Sequence, residues 1–157
     1  MERRRKQKSD RAPQNPLPLI TVCNRQKAVS IQTASVRRLV YFFLQEMKVR
    51  CKELCIHFVG VRTSSKIHAQ FFDDPSPTDC MTFPIDNQFL GECMICPEIA
   101  LEQNPKDPHF EISHYLLHCL LHLIGYEDID KSKRAIMRKE ERRLLKLARN
   151  KKCLLEP

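Results

Sequence analysis

Tryptophan is absent from this chain, and glycine occurs only three times, at Gly60, Gly91 and Gly125. Glycines this scarce each ask for a structural reason, because glycine alone adopts positive φ without steric cost. Long apolar runs are missing too. The longest stretch without a charged side chain, counting His as neutral, is the 15 residues from Ile112 to Tyr126, and three of these are histidines. That is too short and too polar to span a bilayer. No secretory signal is recognisable either: the chain opens rich in Arg and Lys, with no apolar segment behind them. Eight cysteines would suggest a disulfide framework in a secreted chain. Without that signal they are expected to be reduced thiols in a cytoplasmic protein.

What is present fits one soluble domain. A chain of 157 residues can bury about two-thirds of its unfolded surface, and its 42% hydrophobic and 29% charged residues are ordinary for a globular protein. The charge is unevenly spread. Residues 1–11 hold six basic and two acidic side chains, residues 131–152 hold eleven and two, and the whole chain is +8, so the remainder is acidic. A polyanion such as RNA is the natural partner of a basic arm and a basic helix; a solvated helix face plus a tail is the alternative on charge alone. An organellar presequence fits less well, given Glu2, Asp10 and three early prolines.

The pattern of residues predicts the elements in order. Residues 1–16 read as a disordered arm, and Leu17 to Cys23 as a strand rich in β-branched residues. A helix is predicted from near Ser30, with Ile31, Ala34, Val36, Leu39, Val40, Phe43 and Met47 mostly at helical spacing. Glu53 to Gly60 alternates as a second strand, and Thr63 or Ser64 is expected to cap a helix through Phe72. The stretch "DDPSPTD" is a turn-rich loop. Cys80–Ile85 and Leu90–Cys96 read as strands, and Pro97 starts a short helix to about Gln103. A further helix runs from Pro108 to Gly125 and a basic one from about Asp130 to Asn150, leaving residues 151–157 as a tail. This order implies one mixed sheet layered with helices.

The stretch His118–Asp128, "HCLLHLIGYED", carries the chemistry. Positions i and i+4 share one helix face, so both imidazoles of His118 and His122 can reach one metal ion. Gly125 can take φ > 0, end the helix and turn the chain back, placing Asp128 as a third ligand. Two nitrogens and one oxygen leave the fourth tetrahedral position that a catalytic zinc needs open. HxxxHxxGxxD has the register of the long zinc-protease motif, with Asp in place of the third His. Those proteases carry their base as Glu directly after the first His, and here that residue is Cys119, so peptide hydrolysis by that route is not expected. Cys119 lies about 100° around the helix and reads as core. His114, one turn before His118, is a candidate to orient a ligand or touch substrate; as a fourth ligand it would close the site.

The remaining cysteines and aromatics read as structural. Cys93 and Cys96 form a CxxC, but in a strand residues i and i+3 face opposite ways and no second CxxC completes a site. Cys51 and Cys55 flank the start of a strand and are expected to pack. Phe71 and Phe72 are expected in the core or lining a cleft rather than as a base-stacking platform.

At these residues the chain resembles the YbeY family of endoribonucleases, also called ribosomal RNA maturation factors. "HCLLHLIGYED" is similar to that family's HGxLHLxGYDH, "PTDCMTFP" at 77–84 to its PTDVLSFP, "LGECMIC" at 90–96 to its LGDIVIC, and Met137 followed by Glu141 to its M-x-x-x-E. The resemblance covers residues 17–150. It implies an α+β fold in a single domain, with a mixed four-stranded sheet, surrounding helices and a zincin-like metal-site helix. It also implies zinc as cofactor, held by His118 and His122, with Asp128 where the family has a third His. The implied activity is cleavage of single-stranded RNA in maturing the 3′ end of small-subunit ribosomal RNA and in ribosome quality control. The family's Asn and Arg before the PTD loop fall at His68 and Phe72, and Phe72 has neither charge nor donor for a phosphate. Asp79, Glu127 and Glu141 are candidates to orient the ligands; no general base is identifiable. Two alternatives stay open: a non-catalytic ribosome-associated RNA-binding factor with a structural or degenerate metal site, and a metal-dependent hydrolase of another substrate.

Overall fold

The computed structural model describes residues 16–157; of the arm read at residues 1–16, residues 1–15 lie outside the described residues. The elements run β1 (Leu19–Asn24), α1 (Thr33–Glu46), β2 (Glu53–Phe58), α2 (Val61–Phe72), β3 (Cys80–Pro84), β4 (Phe89–Ile95), α3 (Pro97–Gln103), α4 (Pro108–Leu123) and α5 (Lys131–Asn150). The strands form one mixed sheet in the order β1-β2-β4-β3. β1 and β2 pair in parallel through the α1 crossover, β2 and β4 also pair in parallel, and β3 folds antiparallel onto β4 as a hairpin. Asp86 shapes the hairpin turn, its carboxylate accepting from the Gln88 and Phe89 N–H groups at 2.6 and 2.7 Å.

Alternation sends Ile56, Cys93 and Ile95 into a core shared with α1, α4 and α5. α4 lies at its centre: Ile112, Leu116, Leu117, Leu120 and Leu121 are fully buried, each side chain contributing about 1.5–3 kcal/mol of transfer free energy. That explains the uncharged run from Ile112 to Tyr126, because a helix apolar on most sides is a buried helix. Asp107 caps it, accepting from the Phe110 N–H at 3.0 Å, and Pro108 occupies its first turn. Among the described residues no helix is long and apolar enough to cross a membrane.

Two details differ from the pattern reading. α2 starts at Val61 with Gly60 as N-cap and no side-chain cap. Ser64 is instead buried and ties down the loop that follows the helix, its hydroxyl donating to the Thr78 carbonyl at 2.9 Å and accepting the Thr78 N–H at 3.2 Å. Residues 151–157 pack back onto the body: Leu155 is buried and its N–H donates to Ser113 Oγ at 2.9 Å, while the Glu156 N–H donates to Ser35 Oγ at 3.0 Å. Local spacing carries no sign of this, since both hydroxyl partners lie far away in sequence.

Candidate metal centre

α4 ends where it must for its histidines to meet a third group. Gly125 adopts φ +101°, and the Tyr126 N–H returns to the Leu121 carbonyl at 3.0 Å, closing the last turn. The chain then reverses and delivers Asp128. His118 Nε2 and His122 Nε2 lie 3.0 Å apart, and Asp128 Oδ2 is 3.8 Å from the first and 3.6 Å from the second. One donor atom from each residue thus falls within 4.8 Å of the others. All three side chains are partly exposed.

The other edge of each ring is fixed. His118 Nδ1 is 2.5 Å from Glu141 Oε1, and His122 Nδ1 is 2.9 Å from the Tyr126 carbonyl oxygen. A carboxylate and a carbonyl can only accept, so each neutral ring carries its proton on Nδ1 and presents the Nε2 lone pair to the cluster. Two lone pairs and an anionic oxygen this close repel one another unless a cation lies among them. The donor set is therefore the kind that holds zinc, with ring orientation set from behind in the manner of carboxylate–histidine–zinc sites.

Glu141 is the organising residue. It is buried on α5 beneath the site, and its second oxygen accepts from His114 Nε2 at 3.0 Å. Burial works to raise its pKa, but hydrogen bonds from His114 and His118 outweigh it and hold the carboxyl down at about 2. Burial likewise works to lower the His118 pKa, and the bond to Glu141 reverses the net shift upward. Glu141→Gln keeps the volume but removes the charge that orients His118. Zinc affinity is expected to fall about 10–100-fold, read by competition with a chromophoric chelator; unchanged affinity would show that Glu141 does not tune the ligand.

Two clefts meet at His118. The larger, about 600 Å³, is lined by Asp79, His114, Arg134, Arg138 and Glu141 among others. The smaller, about 440 Å³, includes His68, Phe72, Thr82, Pro84 and Tyr126 in its wall, together with His122. A profile of the family described as Endoribonuclease YbeY matches residues 21–149. The chain belongs to the YbeY family. A relative of that description from Chlamydia trachomatis serovar D is 36% identical, over 89% of this chain and 94% of its own. Another, from Protochlamydia amoebophila, is 35% identical over 78% and 88%. The solution structure of TM1509 from Thermotoga maritima shares the fold, with a TM-score of 0.57 and 21% identity over 86% of this chain and 95% of that one.

Within this YbeY-family frame the sequence-predicted residues separate. His118, His122 and Asp128 come together, Glu141 orients, and His114 reaches the site through Glu141, with Glu111 3.6 Å from its other nitrogen. Glu127, a candidate to orient ligands, has its carboxylate engaged by Lys133 at the rim of the smaller cleft. Asp79 lines the larger cleft but serves the backbone, accepting from the Cys80 N–H at 2.7 Å. His68 fastens the 73–79 loop, its Nδ1 2.8 Å from the Ser76 carbonyl oxygen. Cys119 is fully buried, as its helical position implied. Phe71 and Phe72 are 58% and 54% exposed, so neither is core; Phe72 lines the smaller cleft. Arg134 and Arg138 also line the larger cleft, and their only signal in the sequence is the general basicity of α5. Arg134 Nε donates to the Asp128 carbonyl at 3.2 Å, bracing the ligand loop.

Proposed function

We propose that this chain is a zinc-dependent endoribonuclease that cuts single-stranded RNA, acting in 3′-end maturation of small-subunit ribosomal RNA and in ribosome quality control. The observation that carries the reading is the convergence of His118 Nε2, His122 Nε2 and Asp128 Oδ2 where two clefts join. Membership of a family described as an endoribonuclease supports it. In this reading His118, His122 and Asp128 hold the zinc, which when bound supplies Lewis-acid chemistry, acidifying water and polarising a phosphoryl oxygen.

The chain's own residues do the rest. Glu141 and the Tyr126 carbonyl keep both imidazoles in the ligating tautomer. Arg138, on the wall of the larger cleft, neutralises a phosphate of the bound strand, and Arg134 adds charge beside it while holding the Asp128 loop. These two arginines stand in for the charge that Phe72 cannot provide. The Phe72 ring, exposed on the far side of His118, stacks on a base that only an unpaired strand can offer. Phosphates on one side and a stacked base on the other would lead a single strand across the zinc.

The two walls predict different signatures in binding assays. Arg138→Ala should lower the salt dependence of RNA affinity, by about 0.7 in the slope of log K against log salt. Phe72→Ala should leave that slope alone and weaken single-strand binding by about 1–3 kcal/mol. The reverse pattern would remove the assignment of the walls. The function itself is tested by incubating the zinc-loaded chain with single-stranded and duplex RNA: selective cutting of the single strand supports it, and intact RNA in both contradicts it.

A further inference from the structure

A second cluster of metal-binding side chains sits on the sheet, well apart from α4 in the chain. Strand register places Cys23 of β1 directly beside His57 of β2, and Glu92 of β4 directly beside Cys55 of β2. Alternation then puts all four on one face, the one opposite to that of Ile56, Cys93 and Ile95, which enter the core. Cys55 Sγ lies 3.2 Å from His57 Nε2, and Glu92 Oε2 lies 3.6 Å from the same nitrogen. One donor atom each from Cys23, Cys55 and His57 falls within 4.8 Å of the others. All eight cysteines are free thiols.

We propose that Cys23, Cys55 and His57, with Glu92 as the fourth donor, form a second zinc site that clamps the edge strand β1 to β2 and β4. A tetrahedral zinc with bonds of about 2.3 Å to sulfur and about 2.0–2.1 Å to nitrogen spaces its donors roughly 3.3–3.8 Å apart. His57 Nε2 already stands at about such distances from Cys55 Sγ and Glu92 Oε2, and Cys23 has a donor within 4.8 Å of Cys55 and His57, so side-chain rotations complete the shell. Two sulfurs and an imidazole select a soft or borderline cation such as zinc over magnesium or calcium. A fourth protein donor fills the shell, as in structural rather than catalytic zinc sites. Burial first, then the neighbouring Cys23 and Glu92, push the Cys55 thiol up to about 11.

The two centres differ in sulfur, and cobalt(II) reports sulfur ligation directly. Titrating cobalt into the metal-stripped, fully reduced chain should give one equivalent of thiolate-to-cobalt charge-transfer absorption in the near ultraviolet. That absorption should persist in His118→Ala, and it should be lost in Cys23→Ser and in His57→Gln. Cys23 and His57 are partly exposed, so neither change empties the core. Absence of the band in the unmutated chain would overturn the site. So would a band unchanged in Cys23→Ser, or a Cys23–Cys55 disulfide found by peptide mapping under the same reducing conditions.

Discussion

His118→Ala is expected to lose both its zinc and its RNA cleavage while remaining folded. The imidazole does three things at once. Its Nε2 faces His122 and Asp128, its Nδ1 binds Glu141, and its ring lines both clefts. Removing it leaves two donors for the ion, and with the ion goes a Lewis acid worth several kcal/mol at the transition state, about a thousandfold or more in rate. His118 is partly exposed and the helix keeps its buried leucines, so circular dichroism should change little. Cleavage within about tenfold of the unmutated chain would show that the metal centre is not the catalyst.

Gly91→Ala should be the most damaging single methyl group added to the fold. Gly91 sits in β4 at φ +148°, a backbone conformation that side chains rarely tolerate. A Cβ there would meet the Phe83 carbonyl oxygen at clashing distance, Leu123 Cδ2 at 2.6 Å and the Pro84 Cα at 2.9 Å. Leu123 can move, but the two β3 backbone atoms cannot without opening the hairpin. Overpacking costs about 1–3 kcal/mol and the dihedral about 1–2 more, a large share of the 5–15 kcal/mol of a typical domain. The urea midpoint should fall sharply. Zinc affinity should fall with it, because Leu123 ends the helix that presents His118 and His122. A loss below about 0.5 kcal/mol would mean that β3, β4 and the end of α4 do not meet as described.

Gly125 contrasts with Gly91 and shows what a sequence discloses. Both need positive φ, yet a Cβ at Gly125 would touch nothing within 4 Å. Its role is purely to turn the chain, and a helix-ending glycine three residues past His122 announces that locally. The demand on Gly91 comes from β3 and α4, which no window around it contains. The same division runs through the site. His118, His122 and Asp128 were legible because helical geometry and one turn fix them. Glu141 lies 23 residues beyond His118 and was flagged only through resemblance; Arg138 was one of many basic residues until α5 docked beside the cleft.

Glu127 shows how proximity in sequence leaves a partner undecided. Adjacent to a ligand in sequence, it is engaged by Lys133 instead. The cysteines make the point most fully. Spacing along the chain singled out Cys93 with Cys96 and Cys51 with Cys55, whereas the pair that shares a site is Cys23 with Cys55, on neighbouring strands. Strand pairing decides that, and it is set by the burial of Ile20, Leu54 and Ile56 rather than by the cysteines. Phe72 was expected in the core or lining a cleft; it is half-exposed and lines the smaller cleft.

Zinc-dependent cutting is tested by stripping the full chain of metal, returning zinc stepwise, and following both binding and cutting of a labelled single-stranded RNA. Binding is expected to persist without metal through Arg134, Arg138 and Phe72, and cutting to appear only as the His118–His122–Asp128 centre fills, with no return in His118→Ala. A zinc-loaded chain that binds the RNA and leaves it whole would contradict it, and would make this a binding factor with a structural metal.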